Sequence, residues 1–461
     1  MSGLRKNSIG LVEATFQGIA GSAPAGAAVA TFTGAAFFAL GALPLTAFLA
    51  FLVVLLNAFI IRRLSSRIAG SGGYYSYVKG GLGTSSALFT GFLYIFYQVM
   101  ALAFMGLSLA VFVPAIFSTV FGFTFPSYSS FPILFVSIFF GYLISRSGIK
   151  QSVRYTTIMA MFEIIVIAAS GIAILIIHPS INTSAVFNPV LAKNGFLGVG
   201  LGILFMYTAF SGFGASTPLG EESRDAHRTV GLAVILSIVI LGIFFVFTAY
   251  VFTVAYGFHS MEMYAAALVP GVQLIQSNLG VIMALLVTIL FINSLLTGTV
   301  VITNGTSRVM YAMSNEGMIP ERFSVIHEKK LTPSVSAGVV SISAFLVAAT
   351  GIIFLNGFNA FLMAATAATL GVILVHSFVN ISLPLVEKNF GEKRKITSII
   401  ASLASLSVFG FVFYSVFLQV SLALKVGTAA FVIWIAISVI FVIRSIRKHT
   451  KSSIDKNLDT E

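Results

Sequence analysis

The chain contains no cysteine and a single tryptophan in 461 residues. Disulfides, thiolate metal sites and cysteine nucleophiles are therefore excluded. Charge is scarce as well: Asp, Glu, Lys and Arg make up 9% of the sequence, against about 25% in soluble domains. No HExxH, no P-loop and no grouping of His and acids at metal spacing occurs. Gly198, Gly200 and Gly202 open an apolar run instead of following a strand, so they form no dinucleotide or phosphate loop. These absences lead us to expect no enzyme, no cofactor and no metal. Without a P-loop, ATP hydrolysis by the chain itself is not expected either.

What fills the sequence is apolar: 58% of residues are hydrophobic. A span needs roughly 20 such residues. Twelve segments qualify, at 9–38, 42–62, 84–116, 130–146, 153–178, 196–219, 229–256, 279–306, 333–355, 358–384, 397–420 and 424–445. An all-α polytopic membrane protein follows, a single transmembrane unit over 1–461 whose immediate partner is the lipid bilayer. Arg5 and Lys6 ahead of the first segment imitate a signal peptide, but the run is too long and carries Glu13, so a retained span is expected. The net charge of +12 is scattered over short loops and does not form the single basic face of a nucleic-acid binder. All but Lys193 and Lys425 of the 26 Lys and Arg residues fall on one side of the twelve-span layout. The positive-inside rule makes that side cytoplasmic, with both termini there. The tail 446–461 is polar and is expected to be mobile.

Two spans are interrupted. The first contains GIAGSAPAG (Gly18–Gly26), where Pro24 removes a backbone donor. The sixth runs into SGFGASTPLG (Ser211–Gly220) and then a charged stretch from Glu221 to Arg228. Backbone breaks at membrane depth are tolerated only inside protein or beside a cavity. The two breaks lie five spans apart, so their helices run in opposite directions. Matched breaks of this kind point to an inverted-repeat transporter and to its binding site. Either break alone is read equally well as a packing kink. A broken helix offers N–H groups at one end and carbonyls at the other, and small residues let a ligand approach both. Gly21, Ser22, Ala23, Pro24, Ala25 and Gly26 are thus expected to present N–H groups to a carboxylate. Phe210, Ser211, Gly212, Phe213 and Gly214 are expected to present carbonyls to an ammonium.

Five stretches stand out as motifs: FQGIAGSAPAG followed by GALPLTAF, RRLSSRIAGSGGYYSYVKGGLG (Arg62–Gly83), GIKQSVRYTTIMAMFE (Gly148–Glu163), the sixth-span stretch FMYTAFSGFGASTPLGEESRDAHRTV (Phe205–Val230), and SRVMYAMSNEGMIPERFSVIHEKKLTPSVS (Ser307–Ser336). Together they resemble the amino acid–polyamine–organocation superfamily of permeases. The resemblance implies a leucine-transporter-type fold. Two five-span inverted repeats (about 9–178 and 196–384) would be followed by two additional helices (about 397–445). It implies a secondary active transporter of amino acids working by alternating access, and it places Phe210 as an aromatic gate. Gly214 stands where many members carry glutamate. That departure suggests a roomier, less charged pocket and favours neutral amino acids. Polyamine or organic-cation transport or exchange, and an uncoupled channel or facilitator, remain as alternatives.

Single polar residues complete the picture. Glu163 lies about ten residues into an apolar span, where a carboxylate is costly and functional by default. It is the candidate for coupling protons to transport, with a hydrogen-bonded packing role as the alternative and sodium as another coupling ion. Gln98 and Asn293, with Tyr94 and Thr297, are candidate substrate contacts or helix-to-helix hydrogen bonds. Glu222, Arg228 and Arg308 are candidate gate residues at the basic side. His376 is open between a proton relay and packing.

Overall fold

The computed structural model describes residues 4–391, 396–418 and 421–458. Every element among the described residues is helical, apart from one isolated bridge between Ile9 and Ser223. Among the described residues, eleven helical stretches are long and apolar enough to cross a membrane, and the first of them is 55 residues long, Leu11–Ser65. A straight helix of that length would reach roughly 80 Å, more than twice a hydrocarbon core of about 30 Å. It instead turns at Leu40, whose φ of 42° ends one helix before Leu43 starts the next. Its two ends meet the same junction: Ile9 pairs with Ser223, and the Ser65 hydroxyl lies 2.7 Å from where a Cβ on Gly231 would stand. The first stretch therefore makes two passes, and the passes among the described residues number twelve.

The remaining spans are the third, entering at Thr84 after a break at Gly83 (φ 81°) inside Tyr74–Phe121, then Ser127–Ser147, Ile149–Ile177, Phe196–Glu222, Ala226–Tyr256, Val281–Asn315, Ser334–Leu355, Gly357–Asn389, Ile396–Phe417 and Leu422–Arg447. The last helix continues to Leu458, through most of the polar tail.

Burial sorts the spans into centre and periphery. In the third, sixth and tenth, 78% of the most apolar window is buried, against 17% in the twelfth. The central helices carry small and polar residues that pack closely, whereas the outer ones turn Ile, Leu and Phe outward. That is the expected division when lipid is as apolar as a protein core. The basic loops gather on one face. Lys79 reaches Glu316 at 2.7 Å and Arg63 reaches Glu387 at 2.5 Å. At the opposite face the amide of Lys193 donates to the carbonyl of Phe38 at 3.0 Å.

Candidate functional site

The first break is short and sharply localised. Helix Leu11–Gly21 ends at Ser22, and Ala23 adopts φ 46°, ψ 72° before Pro24–Gly26 restarts the helix. Proline supplies no donor and pushes the preceding residue out of the α region. Holding alanine in the left-handed region costs roughly 1–2 kcal/mol. The strain is followed by a π-helical turn, Ala27–Thr31, a wide geometry that hydropathy does not encode and that often sits at functional sites. The amides of Ser22 and Ala23 bond back to Ile19 and Ala20 at 3.0 and 3.1 Å.

The second break is a tightening of the helix. The α-helix ends at Phe210 and a 3-10 helix runs for 12 residues, Ser211–Glu222. Runs beyond 3–4 residues of this kind are uncommon and mark hinges or strain. Gly, Ala and Ser tolerate its eclipsed side chains, and Pro218 withholds a donor that an α-helix would use.

The two breaks touch. A Cβ on Gly212 would stand 2.0 Å from the carbonyl carbon of Gly21 and 2.1 Å from the nitrogen of Ser22. No side chain fits there. The Ser22 hydroxyl donates to the carbonyl of Phe210 at 3.3 Å. Beside this contact lies a cavity of about 10 Å³ lined by Gly21, Ser211, Gly212, Gly214, Gln98 and Tyr97, with Ala101, Ala215, Val301 and Ile302. That is room for roughly one water molecule, so a larger guest enters only if the breaks part.

Gly21, Ser211, Gly212, Gly214 and Gln98 are thus brought to one place. Other expected contacts are not. Ala23, Pro24, Ala25 and Gly26 are buried away from the cavity, Gly26 facing Leu295. Phe210 is fully buried edge-on against Phe245 at 5.0 Å, and Phe213 packs on His376 at 5.4 Å. Neither ring lines the space, because both turn away into the core. Tyr97, Ala101, Val301 and Ile302 had no signal of their own. Ala101 was recoverable only as the residue one helical turn beyond Gln98.

Asn293 also stands elsewhere, because Glu163 claims it. Asn293 Nδ2 donates to one carboxylate oxygen at 3.0 Å and Ser294 Oγ to the other at 2.6 Å. The Tyr155 hydroxyl holds Asn293 Oδ1 at 2.6 Å. The backbone N–H of Ala25 reaches the same carboxylate. Glu163, fully buried, therefore joins the fifth and eighth spans to the residue just past the first break. An amide expected to face a ligand carboxylate faces a protein carboxylate.

Gly214 does not leave a roomier pocket. A Cβ there would lie 1.7 Å from the Tyr74 hydroxyl, so Tyr74, entering from the glycine-rich loop after the second span, occupies the space. Tyr74 stacks edge-on to His376 at 5.1 Å, and His376 Nδ1 pairs with the Tyr207 hydroxyl at 2.5 Å. Tyr74 Oη and His376 Nε2 are buried without a partner. Gln98 Nε2 donates to Tyr94 Oη at 2.8 Å.

At the basic face the second break ends in a buried ion pair. Glu222 and Arg308 are both fully buried and paired, with Arg308 Nη2 at 3.0 Å from Oε1 and Nε on Oε2. Arg308 Nη1 also donates to the carbonyl of Asn304 at 2.8 Å. Glu222 further receives the amides of Ser8 and Ile9 on its carbonyl at 2.8 and 3.1 Å. Arg228, in the first turn of helix Ala226–Tyr256, is exposed and takes part in no ion pair among the described residues. Ser71 donates to Glu221 at 2.7 Å, tying the loop that carries Tyr74 to the same junction.

Known proteins carry related sequences. A family described as Amino acid permease matches residues 13–457. The chain is 27% identical over 347 residues to the branched-chain amino acid permease BcaP of Bacillus subtilis (strain 168), covering 72% of each chain. It is 27% identical over 187 residues to the low-affinity putrescine importer PlaP of Escherichia coli (strain K12), covering 39% of this chain and 38% of that one. It is 21% identical over 244 residues to BcaP of Lactococcus lactis subsp. cremoris (strain MG1363), covering 53% of this chain and 49% of that one.

Proposed function

The chain belongs to the amino acid permease family, and from that premise we propose a secondary active transporter of neutral amino acids coupled to protons. The observation that carries the site is the backbone contact between Gly212 and Gly21–Ser22. Two breaks in oppositely running helices meet there, and an amino acid between them would reach backbone that no side chain screens. Parting the breaks admits the substrate, and closing them again around it completes the exchange of faces. In this reading spans 1–5 and 6–10 are the two inverted repeats, and the basic face is cytoplasmic in the cell membrane.

Substrate class follows from the lining. Val301, Ile302 and Ala101 are apolar, and no carboxylate borders the cavity. The nearest intramembrane acid on the first break, Glu163, has both oxygens taken. A polycation would find no counter-charge, which favours the branched-chain substrates in the name of one relative over the putrescine of another. Coupling falls to Glu163. In its neutral form one oxygen becomes a donor and no longer accepts the Ala25 amide or Ser294 hydroxyl equally, so protonation loosens the first break. A panel of labelled amino acids and putrescine in proteoliposomes tests this. Saturable uptake of leucine, isoleucine or valine under an inward proton gradient is expected. Putrescine uptake alone overturns the substrate, sodium-only dependence overturns the coupling ion, and equilibration without accumulation makes it a facilitator.

A further inference from the structure

A second pocket, about 350 Å³, opens at the basic face between the N-terminal arm, the start of the fifth span and the loop after the sixth. Lys150, Arg154 and Arg224 border it, with Glu13 as the only acid. Lys150 and Arg154 stand four residues apart on one helix face, an arrangement that is repulsive for like charges. None of the three cations forms an ion pair among the described residues. Glu13 is engaged in capping, accepting from the Gly10 amide at 3.1 Å. The floor is apolar: Ile9 and Val153 line the pocket and belong to a small cluster, separate from the main core, with Ala14, Ile149, Leu219 and Ala233.

The same helix face continues upward without charge. At helical spacing from Arg154 come Ile158, Met161, Ile165, Ile172 and Ile176, all exposed, Ile176 by 73%. A cationic pocket thus sits directly below an open aliphatic stripe, on a helix whose opposite face carries Glu163. We propose that this is a binding site for one anionic phospholipid, its phosphate among Lys150, Arg154 and Arg224 and an acyl chain along the fifth span. Basic pockets between spans recognise such headgroups by charge, each cation contributing separately. A free phosphate ion satisfies the cations but leaves the stripe unused. The bound lipid ties the entry of the fifth span to the N-terminal arm that is hydrogen-bonded onto Glu222, and so favours the closed basic face.

The test uses the purified full chain in detergent, titrated separately with phosphatidylglycerol, phosphatidylcholine and inorganic phosphate. Native mass spectrometry counts retained lipid and a thermal melt reports stabilisation. One saturable phosphatidylglycerol site with a raised Tm is expected, with little retention of phosphatidylcholine. Lys150→Gln/Arg154→Gln should weaken it about 30-fold, from the loss of two surface cations. Lys388→Gln/Arg444→Gln, the same charge change elsewhere on that face, should leave it unchanged. Equal effects of the two double variants, or equal retention of both lipids, overturn the site. Stabilisation by inorganic phosphate that matches and blocks phosphatidylglycerol overturns the lipid in favour of a soluble phosphate ligand.

Discussion

The two breaks meet at one point but are built in opposite ways. In the first, a single strained residue, Ala23, is followed by the wide turn Ala27–Thr31. The second has no residue at positive φ within Ser211–Glu222 and spreads its deviation over the whole 3-10 stretch. Their supports differ too. The first break is held at its middle by Glu163 through Ala25. The second is held at its far end by the Glu222–Arg308 pair. A local kink with a titratable partner suits a proton-dependent step. A long tight helix anchored by a buried ion pair suits a gate that moves as one piece. Each support can therefore be removed without touching the other break.

The most severe expected effect is at the contact itself. Gly212→Val places atoms inside the backbone of Gly21 and Ser22, and overpacking against backbone cannot be relieved by rotamer change. Saturable uptake and substrate-dependent stabilisation should both vanish while the protein still inserts. Retained affinity would move the site away from both breaks.

Next comes the Glu222–Arg308 pair. Arg308→Ala leaves the Glu222 carboxylate buried and unpaired, at a cost of about 3–5 kcal/mol. The melting temperature should fall sharply. Glu222→Gln/Arg308→Met should recover much of it and transport with a leaky basic face. If the single and double variants melt alike, the pair is not what anchors the second break.

Glu163→Gln addresses the first break alone. The amide keeps its size and one acceptor but cannot exchange a proton. Accumulation under a proton gradient should be lost while exchange of labelled substrate persists, and the melt should shift by only about 1 kcal/mol, a hydrogen bond's worth. Unchanged accumulation would reduce Glu163 to a packing group and leave the first break without a switch.

What the sequence disclosed follows from what leaves a local trace. Hydropathy marks all twelve passes, and Pro24 and Pro218 mark both interruptions, because a missing donor acts within a turn. Glu163 stood out because charge in an apolar run is visible at once. The π turn and the 3-10 run left no mark, since neither changes composition. Nor could local pattern show that Tyr74 fills the space at Gly214, or that Asn293 serves Glu163 across 130 positions. Those are tertiary facts, and they redirected the two residues whose expected roles rested on family resemblance or span position. Glu222 ends the 3-10 run of the sixth span and Arg308 stands inside the helix of the eighth; both are charges at the basic side of the layout, which is why both were open to sequence reasoning as candidates.

The smallest expected effect sharpens the contrast between the breaks most directly. Ala23 holds φ 46° with a side chain that makes the conformation costly, whereas glycine would adopt it freely. Ala23→Gly should therefore relieve strain in the folded state and raise flexibility in the unfolded one. Those effects oppose, roughly 1–2 kcal/mol of relief against about 0.4–1 kcal/mol of added chain entropy, and the melt should move little, with a slight gain. Transport is the informative readout. If the strain at Ala23 is used to drive the first break from one arrangement to the other, the variant should melt like the wild type yet exchange substrate more slowly. If exchange is as fast as before, the strain is an incidental result of placing Pro24, and the switch at the first break lies wholly in the Glu163 hydrogen bonds.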